Sequence, residues 1–264
     1  MVKIFEWRAG TLDEVGEAPD LNAASAVLPA GAYTTIRTHG RRRFLQFDDH
    51  VTRLSDSAGA PLPAQALHAA VRAALDATQH PESRLRVTFA PPRLFVSVEP
   101  FVAPPEALYR DGARCVTVPL HRDRPLLKDT RFLASAASAY RTLPSGIHEG
   151  LLVADDAAVL EGLSSNFFAV VEGRLRTEES RALPGITRSL VLEAARGLLP
   201  VDLTAPRRDE LPRASECFIT SASRGVMPVV EIDGLRVADG RPGKVTAELR
   251  RRFEARIASE AREP

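Results

Sequence analysis

Strand-like and helix-like segments of this chain follow one another without regular alternation, and that irregularity limits its possible folds more than any other feature. Segments dense in β-branched and aromatic residues arrive in pairs joined by short turns. LRVTFA and RLFVSVEPF flank Ala-Pro-Pro, EGLLVAD is followed by AVLEG, and NFFAVVEG by RLRT. A connection that short pairs two strands antiparallel, whereas a doubly wound parallel sheet needs a long crossover after each strand. The pattern therefore predicts an α+β chain of two domains, the second barrel-like, over a doubly wound sheet.

Before the first hairpin, AYTTIRT (32–38) has the β-branched density of a strand, and His39-Gly40 offers a turn. Asp48 or Asp49 is placed to cap a short helix, DDHVTRLSDSAG, that ends at Gly59, and Pro63 opens a second, AQALHAAVRAALDA. VAPPEALYRDG reads as a polar, proline-bearing connection, so the boundary is placed at residue 104. This gives a smaller N-terminal α/β domain over 1–104 and a larger C-terminal barrel-like α/β domain over 105–264. The second half reads as a strand over ARCVTVPLHR, a helix over FLASAASAYRTL, the two hairpins, and a helix over SLVLEAARGL. Strands ECFIT, VMPVVEI and LRV precede a last helix after Gly243.

Composition removes several classes. The net charge is +1 and aromatic residues are 6%, which speaks against nucleic acid as a partner. The arginine triplets 41–43 and 250–252 read as solvated faces. Six scattered histidines make no metal cluster, and His50, close to Arg53 on one helix, reads as structural. Cys115 and Cys217 lie in apolar runs, as buried free thiols do. The N-terminal MVKIFEWRAG carries charges where a signal peptide would be apolar. No apolar run approaches the ~20 residues of a membrane span, so the expectation is a cytoplasmic protein without a membrane partner.

Lysine use is the chemical anomaly. Of 35 basic side chains only Lys3, Lys128 and Lys244 are lysines. An ammonium can lose its proton and form an imine; a guanidinium cannot. Lys128, in RPLLKDTRFL, is thus a candidate for amine chemistry, with a chance surface charge as the alternative. An imine-forming lysine that holds pyridoxal phosphate needs an acid for the ring nitrogen and a cradle for the phosphate. Glu161, in VLEGLSSNFFAVV, is a candidate for the first, or else a solvent-side turn carboxylate. LPGITR (183–188) runs into an amphipathic helix, so its first amides are donors for an anion, or simply an ordinary helix start.

Taken in order, KDTRFL, LEGLSSNFFAVVEGRLRT, LPGITRSLVLEAA and ECFITSASRGVMPVVEIDG resemble the class IV (fold type IV) pyridoxal-phosphate aminotransferases. That family includes branched-chain and D-amino-acid aminotransferases and aminodeoxychorismate lyase. GAYTTIRTHG and DDHVTRLSDSA are similar to its first domain, so the resemblance runs from about residue 30 to 257. It implies a pyridoxal 5'-phosphate enzyme that moves an amino group between an amino acid and a 2-oxo acid. It also implies a homodimer and a fold type IV architecture. Carried over, Lys128 is the Schiff-base lysine and proton carrier, and Glu161 the partner of the ring nitrogen. Arg53, Ile186, Thr187 and the loop Ser221, Ala222, Ser223 hold the phosphate, and Tyr33 lines the substrate pocket.

The departures bear on the reaction. Phe132 and Arg131 replace the tyrosine and asparagine of the family's KxxNYL pattern, and Thr34 stands where aminotransferases often have glutamate. Ala222 replaces a phosphate-binding threonine. The short hairpin LRVTFAPPRLFVSV lacks the arginine–histidine pair with which the D-amino-acid enzymes read the substrate carboxylate; Arg93 is either its substitute or, the preferred reading, a turn arginine facing solvent. Ala222, VMPV and TTIR are similar to aminodeoxychorismate lyase, which eliminates pyruvate. Elimination is therefore the alternative to transfer.

Overall fold

The computed structural model describes all 264 residues, and they divide into two compact units. The first comprises Met1–Val102 together with Leu127–Ala134 and Arg256–Pro264; the second comprises Ala103–Leu126 and Ser135–Ala255. Lys128 thus belongs with the first unit, in a segment far from it in sequence.

The first unit is built on an antiparallel sheet ordered β2-β1-β5-β4-β3. Its strands are β1 (Val2–Arg8), β2 (Thr11–Ala18), β3 (Ala32–Arg37), β4 (Ser83–Ala90) and β5 (Arg93–Pro100). The predicted hairpin is the β4–β5 pair, in register from Ser83↔Pro100 to Ala90↔Arg93. A first hairpin, β1–β2, occupies N-terminal residues whose sequence pattern does not mark them as strands. Its inner strand alternates Phe5 into the core with Glu6 away from it, a pattern that charged neighbours obscure. Helix α1 (Leu21–Ala26) is capped by Asp20, whose Oδ1 accepts from the Asn22 and Ala23 amides.

Helices α2 (Phe47–Ala58) and α3 (Ala64–Thr78) supply Val51, Leu54, Leu67, Val71 and Leu75 to a core completed by Leu85, Val87, Val96 and Val98. The N-cap of α2 is Gln46, not Asp48 or Asp49. Both aspartates lie inside the first turn, where they complement the helix dipole without bonding to a free amide. Gly59 takes the left-handed conformation that ends α2, at φ 62°. Arg93 is exposed beside the turn, as expected, and its guanidinium also makes two bonds to the buried Glu6, at 2.8 and 3.0 Å.

The second unit carries a sheet of nine strands. These are β6 (Ala113–Val118), β7 (Glu149–Val153), β8 (Val159–Gly162), β9 (Asn166–Val171), β10 (Arg174–Arg176), β11 (Val201–Asp202), β12 (Glu216–Ser221), β13 (Gly225–Ile232) and β14 (Leu235–Arg236). Pairing runs β9-β12-β13-β6-β7-β8, and β8 pairs back to β9, which closes a barrel. Both expected hairpins are present, as β7–β8 and β9–β10. Alternate residues Phe167, Ala169 and Val171 of β9 join Cys115, Leu151, Cys217, Ile219, Met227 and Val229 in its core. Phe168 and Phe218, on the other face of neighbouring strands, stack at 4.7 Å. The two cysteines are free and buried.

The proline-bearing connection contains a short helix, α4 (Glu106–Arg110). Helices α5 (Arg131–Thr142), α6 (Ile186–Ala194) and α7 (Lys244–Glu260) fall where the sequence places them. The arginine triplet 250–252 is paired rather than merely solvated, with Glu254, Glu106 and Glu248. No helix is long and apolar enough to cross a membrane.

Candidate active site

In the first unit the structure brings together Tyr33, Arg53 and Lys128. The Lys128 segment is stitched to the start of β3 like a short extra strand. The Lys128 carbonyl accepts from the Tyr33 amide at 2.8 Å, and Thr130 and Gly31 exchange bonds at 2.9 and 3.0 Å. Its other end is held too, because the Lys128 amide donates to Ser57 Oγ at 3.0 Å. The side chain lies over the Tyr33 ring, with Nζ 4.8 Å from the centroid. Arg86 stands 5.0 Å from the same ring.

Helix α2 presents His50, Arg53 and Ser57 at spacings of three and four, which puts them on one face. Arg53 Nη2 donates to Thr34 Oγ1 at 3.0 Å, and that oxygen lies 2.7 Å from His50 Nδ1. His50 is buried; burial first, then the charges of Arg53 and Lys128, push its pKa well below the ordinary value, so the imidazole is neutral. The two departures from the lysine motif sit apart in environment: Phe132 is buried, while Arg131 is exposed and bound to Asp129.

In the second unit the strand register places Glu161, Asn166 and Thr220 side by side across β8, β9 and β12. Glu161 is buried, not a solvent-side turn carboxylate. Its Oε2 accepts from the Leu183 amide at 3.1 Å, and its Oε1 lies 2.9 Å from Arg122 Nε. Asn166 Nδ2 donates to the Leu183 carbonyl at 2.7 Å, so the strand end and the LPGITR segment are bolted together. Gly185 follows, packed so tightly that a Cβ there would stand 2.0 Å from Asn166 Oδ1. The first bond inside α6 runs from the Ser189 amide to the Gly185 carbonyl. The amides of Ile186, Thr187 and Arg188 therefore precede the helical ladder, and no side chain caps them. Thr187 is buried beside them, and the buried hydroxyl of Thr220 has no protein partner.

The Ser221–Ser223 loop is pinned from behind by a charged cluster that sequence reading passed over. Arg224 donates through its amide and its Nε to Ser221 Oγ, both at 3.3 Å. Its Nη2 reaches Glu149 Oε2 at 2.6 Å and Ser164 Oγ at 2.7 Å. Glu149, with no exposed surface, also accepts from Tyr140 and Ser165. Burial alone would lower the Arg224 pKa, but the Glu149 carboxylate reverses that and raises it; the Tyr140 phenol is raised by burial and by the same carboxylate. Arg122, Arg224, Glu149 and Asn166 escaped notice because nothing in their spacing separates them from ordinary surface polar residues.

These residues fit the pyridoxal phosphate that the resemblance implies. Taken unit by unit, the first offers the anchored amine of Lys128, and the second offers the buried Glu161 carboxylate and the uncapped α6 amides beside Thr187, groups whose chemistry suits an aldehyde, a ring nitrogen and a phosphate. Residues 31–232 match the model of the family described as amino-transferase class IV. The chain belongs to that family. A Methanocaldococcus jannaschii protein named provisionally as a branched-chain-amino-acid aminotransferase is 32% identical over 159 residues, 57% of this chain and 55% of that one. The branched-chain-amino-acid aminotransferase of Escherichia coli K12 is 32% identical over 125 residues, 46% of this chain and 40% of that one. The matched part thus spans about half the length of these curated relatives. The structure of the T.th. branched-chain amino acid aminotransferase with pyridoxamine 5'-phosphate superposes with a TM-score of 0.80 at 23% identity, covering 98% of this chain and 94% of that one. The chain has the fold type IV architecture.

Proposed function

We propose that the chain is a pyridoxal 5'-phosphate-dependent aminotransferase that moves an amino group between an amino acid and a 2-oxo acid. One observation carries the reading: Lys128 is the single lysine within the matched residues 31–232, and both of its backbone ends are anchored. When bound, the cofactor supplies an electrophilic carbonyl for amines and a ring that withdraws electrons from the substrate Cα. Lys128 Nζ would hold that carbonyl, and its amine would move the proton at the substrate Cα. Glu161 would accept a hydrogen bond from the ring nitrogen and favour its protonated form. Arg53, the Ile186 and Thr187 amides, the Thr187 hydroxyl and the Ser221–Ser223 loop hold the phosphate, and Tyr33 lines the substrate side. Ala222 contributes only its backbone. A cytoplasmic homodimer completes the reading, on the support of the family likeness.

The matched relatives bear the branched-chain aminotransferase name, which favours transfer over pyruvate elimination and makes branched-chain amino acids the first donors to assay. The test is formation of the donor's 2-oxo acid by cofactor-loaded protein given L-leucine, L-glutamate or D-alanine with a 2-oxo acid acceptor. Transfer that disappears in Lys128→Ala is the expected result. Pyruvate from aminodeoxychorismate without any transfer, or a fully active Lys128→Ala protein, overturns the proposal.

A further inference from the structure

We propose that Thr34 and His50 are positioning residues that aim the Arg53 guanidinium at the cofactor's phosphate. The inference rests on the reading of Arg53 as a phosphate ligand. Three side chains from two elements meet here: Thr34 on β3, and His50 with Arg53 one turn apart on α2. Thr34 has no exposed surface, and its hydroxyl lies 3.0 Å from Arg53 Nη2 and 2.7 Å from His50 Nδ1.

Hydrogen-bond capacity sets the direction of this chain. A guanidinium only donates, so Thr34 Oγ1 must accept from Arg53. Within the proposal the hydroxyl hydrogen is assigned to His50 Nδ1, with the neutral imidazole protonated at Nε2. Burial and the neighbouring cations keep His50 neutral. Had His50 been charged, Nδ1 would donate, and the threonine hydrogen would be left buried without this acceptor. A long, flexible arginine is thereby bound by a β-branched residue in the middle of a strand. Restricting the arginine before the anion arrives lowers the ordering cost that binding must otherwise meet.

The idea separates from mere packing because pyridoxal and pyridoxal 5'-phosphate differ only in the phosphate. Cofactor-free full-length protein is titrated with each, and the dissociation constants are read from absorbance or equilibrium dialysis. Thr34→Val keeps shape and strand preference but loses the oxygen. It is expected to weaken pyridoxal 5'-phosphate binding about tenfold, roughly the effect of one good hydrogen bond, and to change pyridoxal binding less than about twofold. Thr34→Ser restores the oxygen and is expected to bind within about twofold of the parent. His50→Phe, which removes the acceptor, is expected to follow Thr34→Val, whereas His50→Gln, with an amide oxygen, retains part of the affinity.

Equal weakening of both ligands in Thr34→Val would make the pair structural only and overturn the proposal. So would unchanged pyridoxal 5'-phosphate binding in Thr34→Val while Arg53→Ala binds it poorly. If Arg53→Ala itself leaves the preference for the phosphorylated ligand intact, the reading of Arg53 fails, and the inference with it.

Discussion

Replacing Glu149 by alanine should be among the most destabilising single changes in the second unit. Glu149 has no exposed surface and receives Arg224 at 2.6 Å, Tyr140 at 2.5 Å and Ser165 at 2.9 Å. Its removal strands a guanidinium whose own side chain is only 16% exposed. Breaking a buried pair from one side costs about 3–5 kcal/mol, because the remaining charge keeps its desolvation penalty without its partner. For a chain of this size about 2 °C of melting temperature accompanies each kcal/mol, so the expected drop is roughly 6–10 °C. Urea unfolding followed by circular dichroism, with the slope m compared between variants, supplies the second measurement. The control is the double variant Glu149→Leu/Arg224→Met, which removes both charges and should recover most of the loss. Two results refute the reasoning: a Glu149→Ala protein within about 1 kcal/mol of the parent, or additive losses in the double variant.

Acid should weaken the first unit through Glu6. Bonds from Arg93, then Arg8, hold its pKa at about 2, down from an ordinary 4.5. The folded pKa is the depressed one, so the stabilisation is complete above about pH 4.5 and is lost as pH falls towards 2. Denaturant midpoints measured through that window should fall less steeply for Glu6→Gln than for the parent. Gly185→Ala should cost about 1–3 kcal/mol by driving a methyl into Asn166 and should weaken binding of pyridoxal 5'-phosphate; a melting curve and a titration check both. Glu161→Gln should slow exchange of the substrate Cα proton for deuterium far more than it weakens cofactor binding, as NMR and titration would show.

Local chemistry was legible from residue types alone. The hairpins around Ala-Pro-Pro and between EGLLVAD and AVLEG, the Gly59 helix stop, the free thiols and the LPGITR helix start all depend on neighbours within a few residues. Lys128 and Glu161 could be singled out too, since amine and carboxylate chemistry is a property of the side chain. What tertiary structure decided is where polar groups far apart in sequence find one another. The anchoring of Lys128 by Tyr33 and Ser57 and the Arg224 grip on Glu149, across separations of 71 to 95 residues, are of this kind. A composition or spacing pattern carries no record of such pairs, because burial, not sequence distance, gives a polar contact its energy. The same reason gives Arg93, still exposed beside its turn, the buried Glu6 as a partner.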